Sequence, residues 1–314
     1  MSVEEVNAMF EWPTKHQVQN GLLSEKQVNK TYGKVDVYVK SFMEGVGGEY
    51  YWFRTGLAYN VTHNVAIARG LKYAKSQKFF SENKIGFYYM DTGYFGNNKS
   101  KANPRGGKVY HRIAYNQFQC TNIKDSTLPF SRFEATGEKL RKWKEKGKHI
   151  LLCPPSLKSL RAFRLGDEKL AKEYLAKYGK AEHKWLQVYY DEWIKDTIKT
   201  IKKHTDRKII IRTKPESRAV RLNNNTFQDA VNNKIWATVT YNSIVSVESI
   251  INGVPAFVMQ ENSAAAVASN DITQIENPLR PDRKDWAAYL AHNQFTEKEM
   301  RSGFAFETLK RLHG

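Results

Sequence analysis

The stretch TYNSIVSVESIINGVPAFV, residues 240–258, decides how the chain is read. An apolar run, IWATVT (235–240), reads as a strand that stops at Tyr241, and polar Asn242 and Ser243 stand where a helix begins. That helix is expected from about Ile244 to Ile251; Asn252-Gly253 closes it, and Val254–Met259 is the next strand, with Pro255 at its opening. The first turn of a helix offers unpaired amide N–H groups and the positive end of the macrodipole, which together make a seat for a phosphate. Glu248, about one turn further in, is placed to accept the hydroxyls of a ribose or sugar. The plainer alternative makes Ser243 an N-cap and Glu248 a solvated charge. Capping alone does not call for the whole strand, Asn-Ser, helix, Gly-x-Pro, strand run.

Working outward from there, HILLC (149–153) is a short buried strand stopped by Pro154-Pro155. Trp185 to Lys203 sets Leu186, Tyr190, Trp193, Ile194, Ile198 and Ile201 on one helical face. KIIIR (208–212) is a β-branched strand ending at Thr213-Lys-Pro215, and Phe227–Val231 reads as a short helix. The element order β-α-β-α-β-α-β is that of a doubly wound parallel sheet, which binds ligands at the carboxyl ends of its strands. Alternate residues leaving a strand point to one side, so Arg212 and Lys214 both reach toward one pyrophosphate. A solvated strand end is the competing reading of that pair.

"YNSIVSVESIINGVPAFV", preceded by "IIIRTKP", resembles the donor-binding domain of GT-B glycosyltransferases, most closely the branch of capsule-type sugar and polyol-phosphate transferases and phage-encoded relatives. The match covers roughly 130 residues, a length that suits one such domain. The resemblance implies an enzyme with two Rossmann-like domains facing across a cleft. Arg212 and Lys214 would face the donor phosphates, Ser243 would bind them at the helix start, and Glu248 would hold donor hydroxyls; the helix-start reading above adds Asn242 to that phosphate seat. Lys214 departs from the His of many relatives, which keeps a cation but loses a group that titrates near neutrality.

The resulting expectation is an N-terminal extension (1–32), an N-terminal Rossmann-like acceptor domain (33–148), a C-terminal Rossmann-like donor domain (149–275), and C-terminal helices (276–314) packing back on the body. Within the first half, Val35–Val39 alternates like a strand and runs into Gly45-Val-Gly-Gly48, where Gly47 and Gly48 would let a ligand approach the backbone. Val61–Ala74 has helical spacing, KIGFYYM (84–90) is a strand ending at Asp91-Thr-Gly93, and Glu138–Lys148 reads as a basic helix between the domains. An inverting transferase takes its base from the N-terminal domain in this architecture; Asp91 is the first candidate, followed by His63 and Glu49. A turn-capping role explains Asp91 equally well.

Lys and Arg number 50 against 32 Asp and Glu, a formal charge of +18 that attracts polyanions. Lys99, Lys101, Arg105, Lys108 and Arg112, interleaved with Tyr94, Phe95, Tyr110 and Tyr115, combine phosphate-seeking cations with stacking surfaces. Cys120 and Cys153 show no paired spacing, which excludes a disulfide framework or zinc site. No DxD pair occurs, so a metal-independent transferase is expected, with a nucleotide sugar as co-substrate and no further cofactor. The N-terminus lacks a signal peptide and no stretch approaches the ~20 apolar residues of a membrane span, which points to the cytoplasm, that of a host if the chain is phage-encoded. Charge and resemblance together favour a 5-hydroxymethylated pyrimidine in double-stranded DNA as acceptor, flipped out for access. The alternatives are synthesis of a surface glycan or polyol phosphate, and a non-catalytic nucleic-acid-binding protein on the same scaffold.

Overall fold

The structure, a computed structural model, describes residues 22–71, 74–96, 109–121, 123, 127–164, 168–178, 182–213 and 234–313. Lys99, Lys101, Arg105, Lys108, Lys214 and the expected helix Phe227–Val231 lie outside the described residues. The chain is α/β and divides into two compact units, one made of the described residues up to Cys120 with those from Ala291 on, the other of Thr121–Leu290.

The first unit opens with α1 (Glu25–Tyr32), started by a Ser24/Gln27 capping box, and α2 (Val37–Val46). The expected strand at Val35–Val39 is thus the start of a helix. Asp36 accepts the N–H groups of Tyr38 at 3.1 Å and Val39 at 3.2 Å, and this N-cap outweighs the alternating pattern. Strands β1 (Tyr50–Arg54), β2 (Leu57–Asn60) and β3 (Val65–Arg69) follow, then α3 (Ala74–Glu82), β4 (Gly86–Thr92) and β5 (Tyr110–Tyr115). Most of the expected Val61–Ala74 helix is therefore turn and strand: β3 lies between β2 and β4 with both faces covered, so its near-continuous apolar run mimics helical spacing.

In the second unit α4 (Ser131–Glu134) precedes β6 (His149–Cys153). Three helices, α5 (Leu157–Arg164), α6 (Glu168–Tyr178) and α7 (Glu182–Lys202), lead to β7 (Lys208–Ile211). Next come β8 (Ile235–Thr240), α8 (Val245–Ile251), β9 (Ala256–Val258) and α9 (Lys284–His292), whose last turn enters the first unit. The sheet has the order β7-β6-β8-β9 and every pair in it is parallel. Buried Ile150, Leu152, Ala237, Val239 and Phe257 meet Ile201 of α7 and Ile272 on one side. Residues 138–147, expected as a helix, have no regular structure. They run along the starts of the strands, with the amide of Arg141 on the carbonyl of Ile251 (2.9 Å), Lys144 on Gly253 (2.7 Å) and Lys148 on Lys234 (2.6 Å). Gly253 has φ +75°, and a Cβ there would sit 2.0 Å from the Lys142 carbonyl oxygen, so glycine is what lets the segment lie so close.

The chain then returns to the first unit through β10 (Gln294–Thr296), α10 (Glu297–Arg301) and α11 (Phe304–His313). Its sheet has the order β1-β2-β3-β4-β5-β10, and only β3 and β4 run parallel. This corrects the expectation of a Rossmann-like first domain. Turns as short as Thr55-Gly56 and residues 61–64 join their strands as hairpins, whereas a parallel crossover needs a dozen residues or more. Phe42, Met43, Met300, Phe306 and Leu309 cover one face of this sheet, and Phe80 with its neighbours covers the other. The C-terminal helices thus pack on the first unit's own core.

Candidate functional site

The parallel sheet has one topological switch point. From β6 the chain goes to β7 on one side, and from β7 it crosses to β8 on the other. Ligands of doubly wound sheets bind outside the carboxyl ends of the two strands flanking such a point. Cys153 of β6 is level with Thr240 of β8, and Leu152 with Ile211 of β7, so Arg212, Pro154 and Tyr241 leave the sheet side by side.

Several polar side chains converge there. Ser156 accepts the Ser159 N–H at 3.1 Å in the first turn of α5, and the Ser159 hydroxyl donates to Asn242 Oδ1 at 3.0 Å. Arg164, at the end of α5, donates from Nε to the Tyr241 hydroxyl at 2.5 Å. Thr240 Oγ1 donates to the Cys153 carbonyl at 3.1 Å, locking the two strand ends together. Arg212, anchored by its amide on the Leu152 carbonyl, shares an electrostatic neighbourhood with Glu248 and Cys153. Burial raises the Glu248 carboxyl above its ordinary range, while Arg212 pulls it back. Burial pushes the Cys153 thiol up to about 12, which leaves it inert as a nucleophile near neutrality.

The turn itself already uses several of its own amides. The Ser243 N–H donates to Thr240 Oγ1 at 3.2 Å, and Ser243 Oγ accepts the Val245 N–H at 3.3 Å. The amides of Ser246 and Val247 close back on the carbonyls of Ser243 and Ile244. Ser243 therefore caps its own turn, and any anion at this edge depends on guanidinium groups at least as much as on the helix start. Ser159, Arg164 and Tyr241 were not among the residues singled out from the sequence. The signal was a buried strand followed by Pro-Pro-Ser and a helix, the same strand-to-helix grammar found at 240–245.

In the first unit the candidate bases fall into two groups. Arg69, Asp91, His111 and Arg112 share one end of the sheet, where Asp91 pairs with Arg112 and Thr92 with His111 across β4 and β5. Glu49 and His63 stand at the opposite end. The Glu49 N–H donates to Thr62 Oγ1 at 2.8 Å, and the His63 N–H to Asn60 Oδ1 at 2.9 Å. The five residues of β3 separate the two ends by roughly 13–17 Å. One reacting hydroxyl cannot be served from both. Gly47 and Gly48 belong with Glu49 and His63: Gly47 ends α2, its carbonyl accepting from Asn60 Nδ2 at 2.7 Å, and Gly48 lies under Thr62.

Asp91 is heavily engaged. Its Oδ2 accepts from the Tyr89 hydroxyl at 3.0 Å and from Arg112 at 3.2 Å, and its Oδ1 from the Thr92 N–H at 2.8 Å. Arg112 also donates to the Thr92 carbonyl at 2.7 Å, and its side chain is 8% exposed, a posture unlike that of a phosphate-reading arginine on a surface. Beside it Arg69 pairs with Asp36 and approaches His111 Nε2 at 3.1 Å. Arginine only donates, so Nε2 accepts and the imidazole proton belongs on Nδ1. His111 is 2% exposed, and burial, with Arg69 adding to it, brings its pKa down to about 4. In the sequence Asp36 reads as a strand residue and Arg69 as part of a helix, and 33 and 42 positions separate Arg69 from Asp36 and from His111, so nothing local joins the three.

Among the described residues, no group of three or more His, Cys, Asp or Glu side chains is disposed to hold a metal ion, and no helix is long and apolar enough to cross a membrane. No family model matches the chain, and no curated protein matches it by sequence. Among solved structures, it is similar to KpsC, a beta Kdo 2,7 transferase of Thermosulfurimonas dismutans, at 11% identity and a TM-score of 0.33, covering 78% of this chain and 84% of that one. A likeness at that level carries no weight for the chemistry.

Proposed function

We propose that the second unit binds the diphosphate of a nucleotide sugar at the carboxyl edge of β6 and β8, and that the chain is a GT-B-type glycosyltransferase. The observation that carries this reading is the convergence of Arg212, Arg164, Asn242 and Glu248 on the switch point of an all-parallel sheet. Arg212, with Lys214, neutralises the diphosphate; Asn242 and Ser243 orient it; Glu248 accepts donor hydroxyls. In the transfer, the acceptor oxygen forms a bond to the anomeric carbon as the bond from that carbon to the diphosphate oxygen breaks. The diphosphate leaves with the electron pair, and the acceptor's proton passes to a base. That base is Asp91, or alternatively one of Glu49 and His63, which stand together at the other sheet end. The acceptor is a hydroxymethylated pyrimidine of DNA, a reading that rests on the +18 charge.

A thermal-shift screen with UDP, ADP, GDP and CDP tests the donor site. Ligand at a hundred times its Kd stabilises the native state by about 2.7 kcal/mol, so one nucleotide should raise Tm by several degrees. Arg212→Ala should weaken that nucleotide on the order of 10- to 100-fold, measured as the ligand-induced shift relative to the variant's own free Tm. Absence of a shift with every nucleotide at millimolar concentration removes the proposal. For the acceptor, incubation with hydroxymethylated DNA and nucleotide sugars, then mass analysis of the nucleosides, should show a gain of one hexose or related mass.

A further inference from the structure

At the opposite edge of the same sheet, the chain gathers positive charge in a different way. Between Lys139 and Lys148 there are six Lys or Arg and a single acid, Glu145. In a helix these cations would be spread around the axis. Pinned instead by the amides of Arg141, Lys144 and Lys148, the segment runs beneath the starts of β9, β8 and β6. Lys208 begins β7, where it is level with His149, and Lys234 immediately precedes β8, so the row continues to both sides of Lys148. Arg141, Lys142, Lys146, Lys148, Lys208 and Lys234 are all exposed, and among the described residues none of the six has a carboxylate within ion-pair distance.

The supporting layer keeps these charges uncancelled. Arg283 donates to the carbonyls of Ile250 at 2.5 Å and Arg141 at 2.6 Å, and Arg280 to that of Lys144 at 3.2 Å. Carbonyls satisfy a guanidinium without neutralising it. Trp143 is turned into the protein, its indole N–H on the Pro281 carbonyl at 3.0 Å and the Arg283 guanidinium 4.0 Å over its ring. Among the described residues of 138–148 and 276–284, Leu279 is the one large apolar side chain that is exposed, too little surface to anchor in a bilayer. Four adjacent strands make an edge about 14 Å wide, which matches about four phosphates of one duplex strand at 3.4 Å of axis each.

We infer that the strand-start edge of the second unit is a docking surface for nucleic acid, contacting the phosphodiester backbone through this row of cations without reading sequence. It rests on the acceptor reading above and goes beyond it: this edge grips the phosphodiester backbone of the polymer, at the far end of the strands from the donor, and does not itself present the acceptor group. It stands on residues separate from the donor edge.

The test measures binding of the full chain to a labelled 20-base-pair duplex and to a 20-mer single strand by fluorescence anisotropy, from 50 to 300 mM KCl. About four phosphate contacts predict a slope of log K against log salt near −3.6 on the duplex and about −2.8 on the single strand. Lys142→Ala, Lys146→Ala and Lys148→Ala combined should make that slope shallower by about 2 to 3 and weaken binding at 100 mM KCl on the order of 10- to 100-fold. A control triple, Lys172→Ala, Lys195→Ala and Lys298→Ala, removes the same charge from exposed positions elsewhere and should change binding less than threefold. An unchanged Tm of the free protein shows that both triples are folded, and the nucleotide-induced shift of the parent, read separately, distinguishes a failure of the donor site from a failure of this surface. Equal losses in both triples, no salt-dependent binding, or binding to vesicles with 30% anionic lipid in preference to either oligonucleotide each overturn the inference.

Discussion

The two units handle buried and half-buried arginines in contrasting ways. At the sheet end of the first unit, Arg69 is matched by Asp36 and Arg112 by Asp91. Charge there is spent on charge. Along the strand-start edge of the second unit, Arg283 and Arg280 donate to main-chain carbonyls, and although Arg207 pairs with Glu276 it too reaches a carbonyl, that of Gly147. Both arrangements satisfy donors, yet only the first removes field from the surroundings. The net charge of +18 is therefore not evenly available to a partner, and a count from sequence cannot show where it remains.

Breaking the first arrangement should cost the most. Asp91→Ala leaves Arg112, 8% exposed, without its carboxylate. Removing one partner of a buried pair costs 3–5 kcal/mol, and Asp91 is itself 36% exposed, so a loss of about 3 kcal/mol is expected in urea unfolding. Replacing Arg112 by Leu in the same chain should recover part of it. A loss below about 1 kcal/mol would mean that the pair is ornamental and that Asp91 is held for chemistry instead.

The neighbouring imidazole sharpens the contrast through pH. His111 has a folded pKa near 4 against an ordinary 6.5, so between those values the unfolded chain binds the extra proton. Stability is therefore full above about pH 7.5 and falls as pH drops toward 4, by about 2 kcal/mol by pH 5. Denaturation midpoints of His111→Phe against the parent, measured across that window, should diverge at pH 7 and converge toward pH 5. Parallel curves would remove His111 as the source.

The smallest effect is expected in the second unit. Arg283→Met keeps much of the packing on Trp143 but loses the hydrogen bonds to Ile250 and Arg141, costing about 1–2 kcal/mol. Hydrogen exchange at the Arg141 amide, bonded to Ile251, should speed up while amides of the first unit do not change.

Most of the second unit was legible because its signals are local and agree with one another. Continuous apolar runs at 149–153 and 235–240, the one-sided helix at 185–203 and the Gly253-x-Pro255 stop all say the same thing as the fold. The first unit was misread where local signals conflict. Asp36 caps a helix whose first residues, Val-Tyr-Val, also alternate like a strand, and β3 is so fully buried that its pattern carries no period at all. Residues 138–147 failed for another reason: their conformation is set by carbonyls of Ile251 and Gly253, more than a hundred positions away, and no window contains both partners. Separations of 83 and 77 positions likewise hid the Ser159–Asn242 and Arg164–Tyr241 contacts at the switch point.

The first unit is sewn from two ends of the chain. Tyr110–Tyr115 finds its outer neighbour only in Gln294–Thr296, and Phe306 and Leu309 belong to the same core as Phe42. On a ribosome, then, the later-made middle, Thr121–Leu290, is complete before the earlier-made beginning is. The strands up to Tyr115 must wait, with an unfinished sheet edge, until Gln294–Thr296 emerge. A stop codon ahead of Gln294 would therefore undo a sheet made nearly two hundred residues earlier.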